Sequence, residues 1–256
     1  PENTNQLIEV GLRSQRSGEW PDMGPEERLI REFVEELEPR TFPSTQDLAA
    51  HARRLDSILH PESRPQNEPD RVLKRWAALE YRMFRAVEER ACGDMVSAGF
   101  DTVEDFVAVA NTVLNRRKSR AGNSLEHHLA AIFDDCQVEY TAQPRTEGNR
   151  RPDFVFPSEG RYHDAGWPES NLVFLAAKTT CKDRWRQILN EADRIAHKHL
   201  FTLQQGISGA QLDEMSAAGV TLVVPEENKR TFPPDHREWI LSLEEFIELV
   251  RELTSR

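Results

Sequence analysis

Cysteine, long apolar runs and an excess of positive charge are all scarce in this 256-residue chain, and each scarcity removes a class of protein. The three cysteines, Cys92, Cys136 and Cys181, are odd in number and include no Cys-x-x-Cys pair. That pattern fits reduced thiols and argues against a disulfide framework or a cysteine-based zinc site. The longest apolar runs, Leu172 to Ala177 and Val220 to Val224, fall far short of the roughly 20 residues that span a bilayer, so no membrane association is expected. The polar opening, Pro-Glu-Asn-Thr-Asn-Gln, carries neither a readable signal peptide nor an acylation signal, and the cytoplasm is the expected location.

A net charge of −11 argues against a general polyanion binder, because a phosphate backbone rewards clustered lysine and arginine and repels carboxylates. The total hides an uneven distribution. Residues 111–200 hold 14 Lys+Arg against 12 Asp+Glu, which leaves the rest of the chain at −13. The bases of this middle part form three groups: Arg116, Arg117, Lys118 and Arg120; Arg145, Arg150 and Arg151; and Lys178, Lys182, Arg184 and Arg186. A charge run is ordinarily a solvated face. Three such groups around one site would instead make a surface for phosphates.

The length and the 38% apolar content suffice for one large domain or two small ones. Residues 1–22 have little periodicity and read as a flexible arm. From 23 to 100 the apolar spacing is helical: a helix opens at Pro25, a second at the Ser44 to Asp47 cap, and a third near Asp70 with Val72, Leu73, Trp76, Leu79 and Phe84. Residues 101–256 read as a second unit. A helix starts at Asp101 and another is expected to be capped by Ser124. β-Like runs follow at 138–141, 153–156, 172–177 and 220–224, with a polar helix over 183–197 and a last helix from Ser242. Alternating helices and strands predict an α/β sandwich with helices flanking a mixed sheet, and a helical N-terminal region beside it.

The chemistry concentrates on two strand ends. Asp153 follows Pro152 and leads an apolar strand; Lys178, 25 residues on, ends another. A carboxylate and an ammonium at the edge of a core are costly unless they meet each other, a ligand or a metal. Taken singly, Pro-Asp is a common turn dipeptide; taken together the two suggest a metal-dependent nuclease. In most such sites a second acid stands two residues before the lysine, but that position here is Ala176. The downstream helix offers Glu191, two turns from Arg184 on nearly one face, as the second ligand of a Mg²⁺ ion. The adjacent His127 and His128, the pair His197 and His199, the three cysteines, and Gly206 and Gly209 read as structural.

The run Lys178-Thr179-Thr180-Cys181-Lys182-Asp183-Arg184-Trp185-Arg186-Gln187, followed by Glu191, closely resembles the catalytic signature of the EcoRII C-terminal domain family of type II restriction endonucleases, members of the PD-(D/E)xK nuclease superfamily. Arg116 to Gly122, Arg151-Pro152-Asp153 and His199 to Gln204 resemble it too, and the likeness extends over roughly residues 70–250. It implies a restriction-endonuclease-like fold with Asp153 and Glu191 as metal ligands and Lys178 as the active-site lysine. Tyr162 and Arg116 would lie near phosphate. Glu126 would be an accessory acid, although an exposed helix glutamate is an equal reading.

By the same resemblance, Lys182, Asp183 and Arg184 would read the outer G·C pairs of a CCWGG-like or CCNGG-like site, which agrees with the donors and acceptors of the major groove. Trp76 and Tyr81 would offer stacking faces to flipped central bases, unless they are core or surface aromatics. The implied enzyme is a Mg²⁺-dependent homodimer on double-stranded DNA that leaves 5′-phosphate ends, with a cognate cytosine methyltransferase as its functional rather than physical partner. Another nuclease of the superfamily, acting in repair or on junctions, and a DNA-binding protein without catalysis remain as alternatives.

Overall fold

Pro25 starts the first helix, α1 (Pro25–Glu36), at a position where its missing N–H costs nothing, and Ile30, Phe33 and Val34 form the buried stripe. The structure, a computed structural model, describes residues 23–38 and 41–254, without the side chains of 121, 182 and 183; the arm expected over 1–22 lies outside these described residues. Ser44 accepts the Asp47 N–H to begin α2 (Thr45–Leu59), Pro69 begins α3 (Pro69–Ala98), and Thr102 accepts the Asp105 N–H to begin α4 (Val103–Asp135). Leu48, Ala52, Leu55, Leu79, Met83 and Phe84 close the core among the first three of these helices.

The sequence predicts two helices where α4 runs unbroken for 33 residues. Ser124, expected as a cap, gives its hydroxyl to the wholly buried Glu80 of α3 at 2.6 Å. Arg120 donates to the other oxygen of Glu80 at 2.9 Å, and His128 Nε2 lies 2.8 Å from the carboxylate. With its hydroxyl taken by a neighbouring helix, Ser124 does not turn back on its own backbone, and the helix continues through it.

A five-stranded sheet follows in the order β1 (Thr141–Ala142), β2 (Phe154–Phe156), β3 (Val173–Ala177), β4 (Lys198–Phe201), β5 (Val220–Val223). The first three strands are antiparallel neighbours; β3, β4 and β5 are parallel. β2 and β3 are buried on both faces, which is why they read as continuous apolar runs. Phe154, Phe156, Leu175 and Phe201 point to the face covered by α3, α4 and the last helix, α8 (Leu243–Thr254), around Phe133 and Phe246. Val155, Phe174, Ala176 and Leu200 point to the other face, against Trp185, Ile188 and Tyr162, the last of these on α5 (Glu159–His163). That face is also covered by Leu212 and Met215 of α6 (Gly209–Ala217), which connects β4 to β5. The architecture is the expected mixed sheet between helical layers.

Beyond β3 the structure departs from expectation. In place of an α-helix over 183–197 stands a 3₁₀ stretch, Lys182–Asn190, which ends before Glu191; Ala192 takes φ +51°, in the left-handed region, and β4 begins at Lys198. A left-handed residue cannot continue a right-handed helix.

One carboxylate ties the helical region to the sheet. Asp70 of α3 accepts the N–H groups of Glu226, Leu243 and Glu244 at 3.0, 2.8 and 3.0 Å, at the starts of α7 (Glu226–Lys229) and α8. It thereby serves two helix N-termini from a third helix. Asp70→Ala strands these donors, and a loss of about 2–4 kcal/mol in the urea-unfolding free energy is expected, with the slope unchanged. A loss under about 0.5 kcal/mol would show that solvent replaces the carboxylate at no cost.

Candidate active site

The β2–β3 register pairs Phe154 with Leu175, so Asp153, one step before β2, falls opposite Ala176 and beside the end of β3. There its Oδ2 accepts two hydrogen bonds at 2.7 Å, from the Ala177 backbone N–H and from Lys178 Nζ. Lys178 is held in turn by its own N–H, which donates to the Phe201 carbonyl of β4 at 2.9 Å. Asp153 is nearly buried, and its Oδ1 accepts no hydrogen bond among the described residues.

Two more acids face this pair. Glu191 is half-buried, and its carboxylate has no hydrogen-bond or ion-pair partner among the described residues. Burial first, and then the charge of Asp153, push its carboxyl up, while Lys178, Lys198 and Arg150 pull it down. Glu126 on α4 behaves alike: burial and Asp153 raise it, and a 3.0 Å bond from Gln143 together with Lys178 lowers it. Asp153, Lys178, Glu126 and Glu191 thus share one electrostatic neighbourhood. Ala176 lies in the same apolar core as Ile188 and Ala192, which bracket Glu191 in sequence, so the backbone that carries the second acid packs on the face of the sheet where Ala176 sits.

Among the described residues no group of three or more His, Cys, Asp or Glu side chains forms an all-protein metal cage. The donors present suit a hard divalent cation that keeps part of its water. Asp153 Oδ1 and the Glu191 carboxylate are oxygen donors without other partners, and both belong to groups whose burial makes an uncompensated charge costly.

The other expected site residues are spread more widely. Tyr162, expected on phosphate, is buried; its hydroxyl donates to Glu147 at 2.6 Å and accepts the Arg194 N–H at 3.4 Å, so it serves the protein's own backbone. Arg116 lies ten residues before Glu126 on α4, about 15 Å along the helix axis, with its guanidinium 3.8 Å from the centre of the Phe42 ring. Trp76, offered as a stacking face unless a core aromatic, is buried, donates its indole N–H to Asp56 of α2 at 3.0 Å and lies 5.7 Å from the His128 ring of α4, so the structure gives it the core role. Tyr81 is exposed, with Arg120 5.7 Å from its ring centre. Lys182 and Asp183 share the 3₁₀ stretch with Arg184, which is exposed and makes no side-chain hydrogen bond or ion pair among the described residues.

The basic groups do not all face one site: Arg117 is paired with Glu88, Arg120 with Glu80, Arg186 with Glu214 and Arg150 with Asp193. Arg145, Arg151 and Arg184 are exposed and unpaired among the described residues. Sequence reasoning passed over Lys198 and Glu147. Lys198 Nζ, almost fully buried, donates to the Glu191 and Ala192 carbonyls, and burial pulls its ammonium down to about 8. A lysine opening an apolar strand was the available signal.

The shared electrostatics are testable. In a carboxyl ¹³C NMR titration, Glu191 should have a midpoint above the ordinary glutamate value of about 4.3. Asp153→Asn removes a negative neighbour and should lower that midpoint; Lys178→Met removes a positive one and should raise it. A midpoint unmoved by both substitutions would separate Glu191 from the pair.

Residues 84–247 match the family model described as EcoRII C terminal. The chain is 51% identical over 181 residues to the type II restriction enzyme EcoRII of Escherichia coli, an alignment covering 70% of this chain and 45% of that protein. It is 24% identical over 190 residues to the type II restriction enzyme SsoII of Shigella sonnei, covering 66% of this chain and 60% of that one. The chain therefore spans about half the length of the curated relatives it matches. Among solved structures, metal-depleted Ecl18kI with uncleaved DNA superposes with a TM-score of 0.69 at 20% identity, over 91% of this chain and 86% of that one. A PspGI–substrate DNA complex superposes at 0.67 and 14%, over 86% and 96%. The mixed sheet with flanking helices is thus the PD-(D/E)xK endonuclease fold, and the match over most of the sheet and its motifs makes this chain a member of the EcoRII C-terminal family.

Proposed function

We propose that this chain is the catalytic part or the whole of a type II restriction endonuclease that hydrolyses phosphodiesters of double-stranded DNA with Mg²⁺, leaving 5′-phosphate ends. The observation that carries the reading is the Asp153 carboxylate, one oxygen held by the Ala177 N–H and the Lys178 ammonium and the other without a partner among the described residues, with Glu191 in the same electrostatic neighbourhood. Asp153 Oδ1 and Glu191 would hold the ion, which when bound supplies a water acidified towards neutrality and a positive charge for the scissile phosphate. Lys178 has donors left after its bond to Asp153; they orient the attacking oxygen and stabilise charge growing on the phosphate. Glu126, with its carboxyl held up by burial and by Asp153, can hold a proton at the edge of the site at higher pH than a free glutamate.

Specificity is assigned to Lys182, Asp183 and Arg184, reading a CCWGG-like site. Arginine and lysine donate to guanine O6 and N7, and the acid accepts from cytosine N4. Arg145 and Arg151 are exposed for the phosphate backbone. A near-palindromic site calls for a two-fold homodimer, and the exposed Val103, Phe106 and Val107 of α4, with Met95 and Val96 of α3, supply apolar surface for it. The E. coli and S. sonnei relatives are restriction enzymes by name, which supports the reading.

Digestion of a sequenced plasmid with Mg²⁺ and mapping of the ends tests it. Cutting at one short, near-palindromic sequence is expected. Asp153→Ala, Lys178→Ala and Glu191→Ala should each reduce cutting by about 100-fold or more while leaving duplex binding in place. Arg184→Ala should relax discrimination at the outer pairs, where one lost bidentate contact is worth about 1–3 kcal/mol. Normal cutting by the first three variants would refute the site.

A further inference from the structure

We propose that Lys198, aided by Glu147 and Tyr162, is a positioning residue that shapes the backbone of 190–194 so that the Glu191 carboxylate stands ready beside Asp153. The inference rests on the metal-site reading above and extends it to groups that touch neither ion nor DNA.

Five consecutive residues here each have a backbone group held by a side chain from elsewhere. The Asn190 carbonyl accepts from the Arg150 guanidinium. The Glu191 and Ala192 carbonyls both accept from Lys198 Nζ, the second at 2.6 Å. The Asp193 N–H donates to Glu147 Oε2 at 3.1 Å, and the Arg194 N–H to the Tyr162 hydroxyl at 3.4 Å, while that hydroxyl donates to Glu147. The Arg194 guanidinium closes the circuit on the carbonyls of Tyr162, Asp164 and Trp167.

Two adjacent carbonyls cannot turn to one ammonium in an α-helix, where all carbonyls point along the axis. They do so here because Glu191 is extended, at φ −97° and ψ 142°, and Ala192 is left-handed at φ +51°. That conformation is unfavourable for alanine and persists only where the surroundings impose it. Lys198 is the imposing group: it is 3% exposed, sits 4.9 Å from the Phe174 ring centre, and has no carboxylate ion pair among the described residues. Burying an ammonium on two carbonyls is costly for stability alone, since an apolar side chain would fill the space more cheaply. The cost is explained if the turn it holds must present Glu191 in one orientation.

The test is Mn²⁺ binding to the free protein, followed by electron paramagnetic resonance without DNA, together with duplex binding in EDTA and circular dichroism. Lys198→Met keeps the volume and removes the donors. It is expected to bind Mn²⁺ about 10- to 100-fold more weakly while folding and binding DNA as wild type does. Glu147→Gln retains an acceptor for the Asp193 N–H and should stay within about threefold of wild type, whereas Glu147→Ala should weaken Mn²⁺ binding about tenfold. The Glu147 pair decides the matter if Lys198→Met does not fold. Wild-type Mn²⁺ affinity in folded Lys198→Met, or in Glu147→Ala, overturns the clamp. If Asp153→Ala abolishes Mn²⁺ binding in the same series, the metal site stands even when the clamp fails; if Asp153→Ala leaves it unchanged, the metal site itself is wrong.

Discussion

The contact on which the site depends is the pinning of one Asp153 oxygen by two donors from the end of β3, the Ala177 N–H and the Lys178 ammonium. It fixes the carboxylate in rotation and leaves Oδ1 without a hydrogen-bond partner among the described residues. The contact exists only in one register of β2 against β3. Because side chains alternate faces along a strand, a slip of one residue would turn Phe154 and Phe156 out of the core around Phe133 and carry Asp153 away from Lys178. The apolar burial that holds the sheet together is therefore the same constraint that holds the acid beside the base.

The helical layer adds to that constraint from a distance. α4 carries Glu126 to the site, and its course past Ser124 is fixed by the buried Glu80 of α3, which binds Ser124 and Arg120 and faces His128. α3 is fastened to the far end of the sheet by Asp70. Val72, Leu73 and Trp76 of α3 share one core with the strands, so the region over 23–100 and the sheet pack as partners. Bonds between buried polar groups are strong and directional, so this network makes the relative positions of α3 and α4 discrete.

Much of this was legible in the chain. The β2 and β3 segments declared themselves as short apolar runs with a charged residue at one end, and the pattern of residues from Lys178 to Glu191 carried the family. Periodicity also gave the N-terminal helices, with the cap at Ser44 read from local chemistry, while the helix expected from Asp101 is capped one residue later, by Thr102. What escaped was set by contacts remote in sequence. Ser124 looks like a cap until Glu80, 44 residues away, takes its hydroxyl. The stretch after Lys182 has helical spacing, yet Lys198 and Glu147 turn it out of the helix at Ala192. Tyr162 and Trp76 read as ligand-facing aromatics, but each has a polar partner of the protein's own, Glu147 and Asp56, that no periodicity reveals.

Anomalous diffraction from crystals soaked in Mn²⁺ decides whether Asp153 and Glu191 share a divalent ion beside Lys178. One strong peak is expected about 2.1–2.3 Å from both Asp153 Oδ1 and a Glu191 carboxylate oxygen, with water completing the shell. A peak bound to other side chains, or bound to Asp153 with Glu191 turned away, would contradict a shared ion.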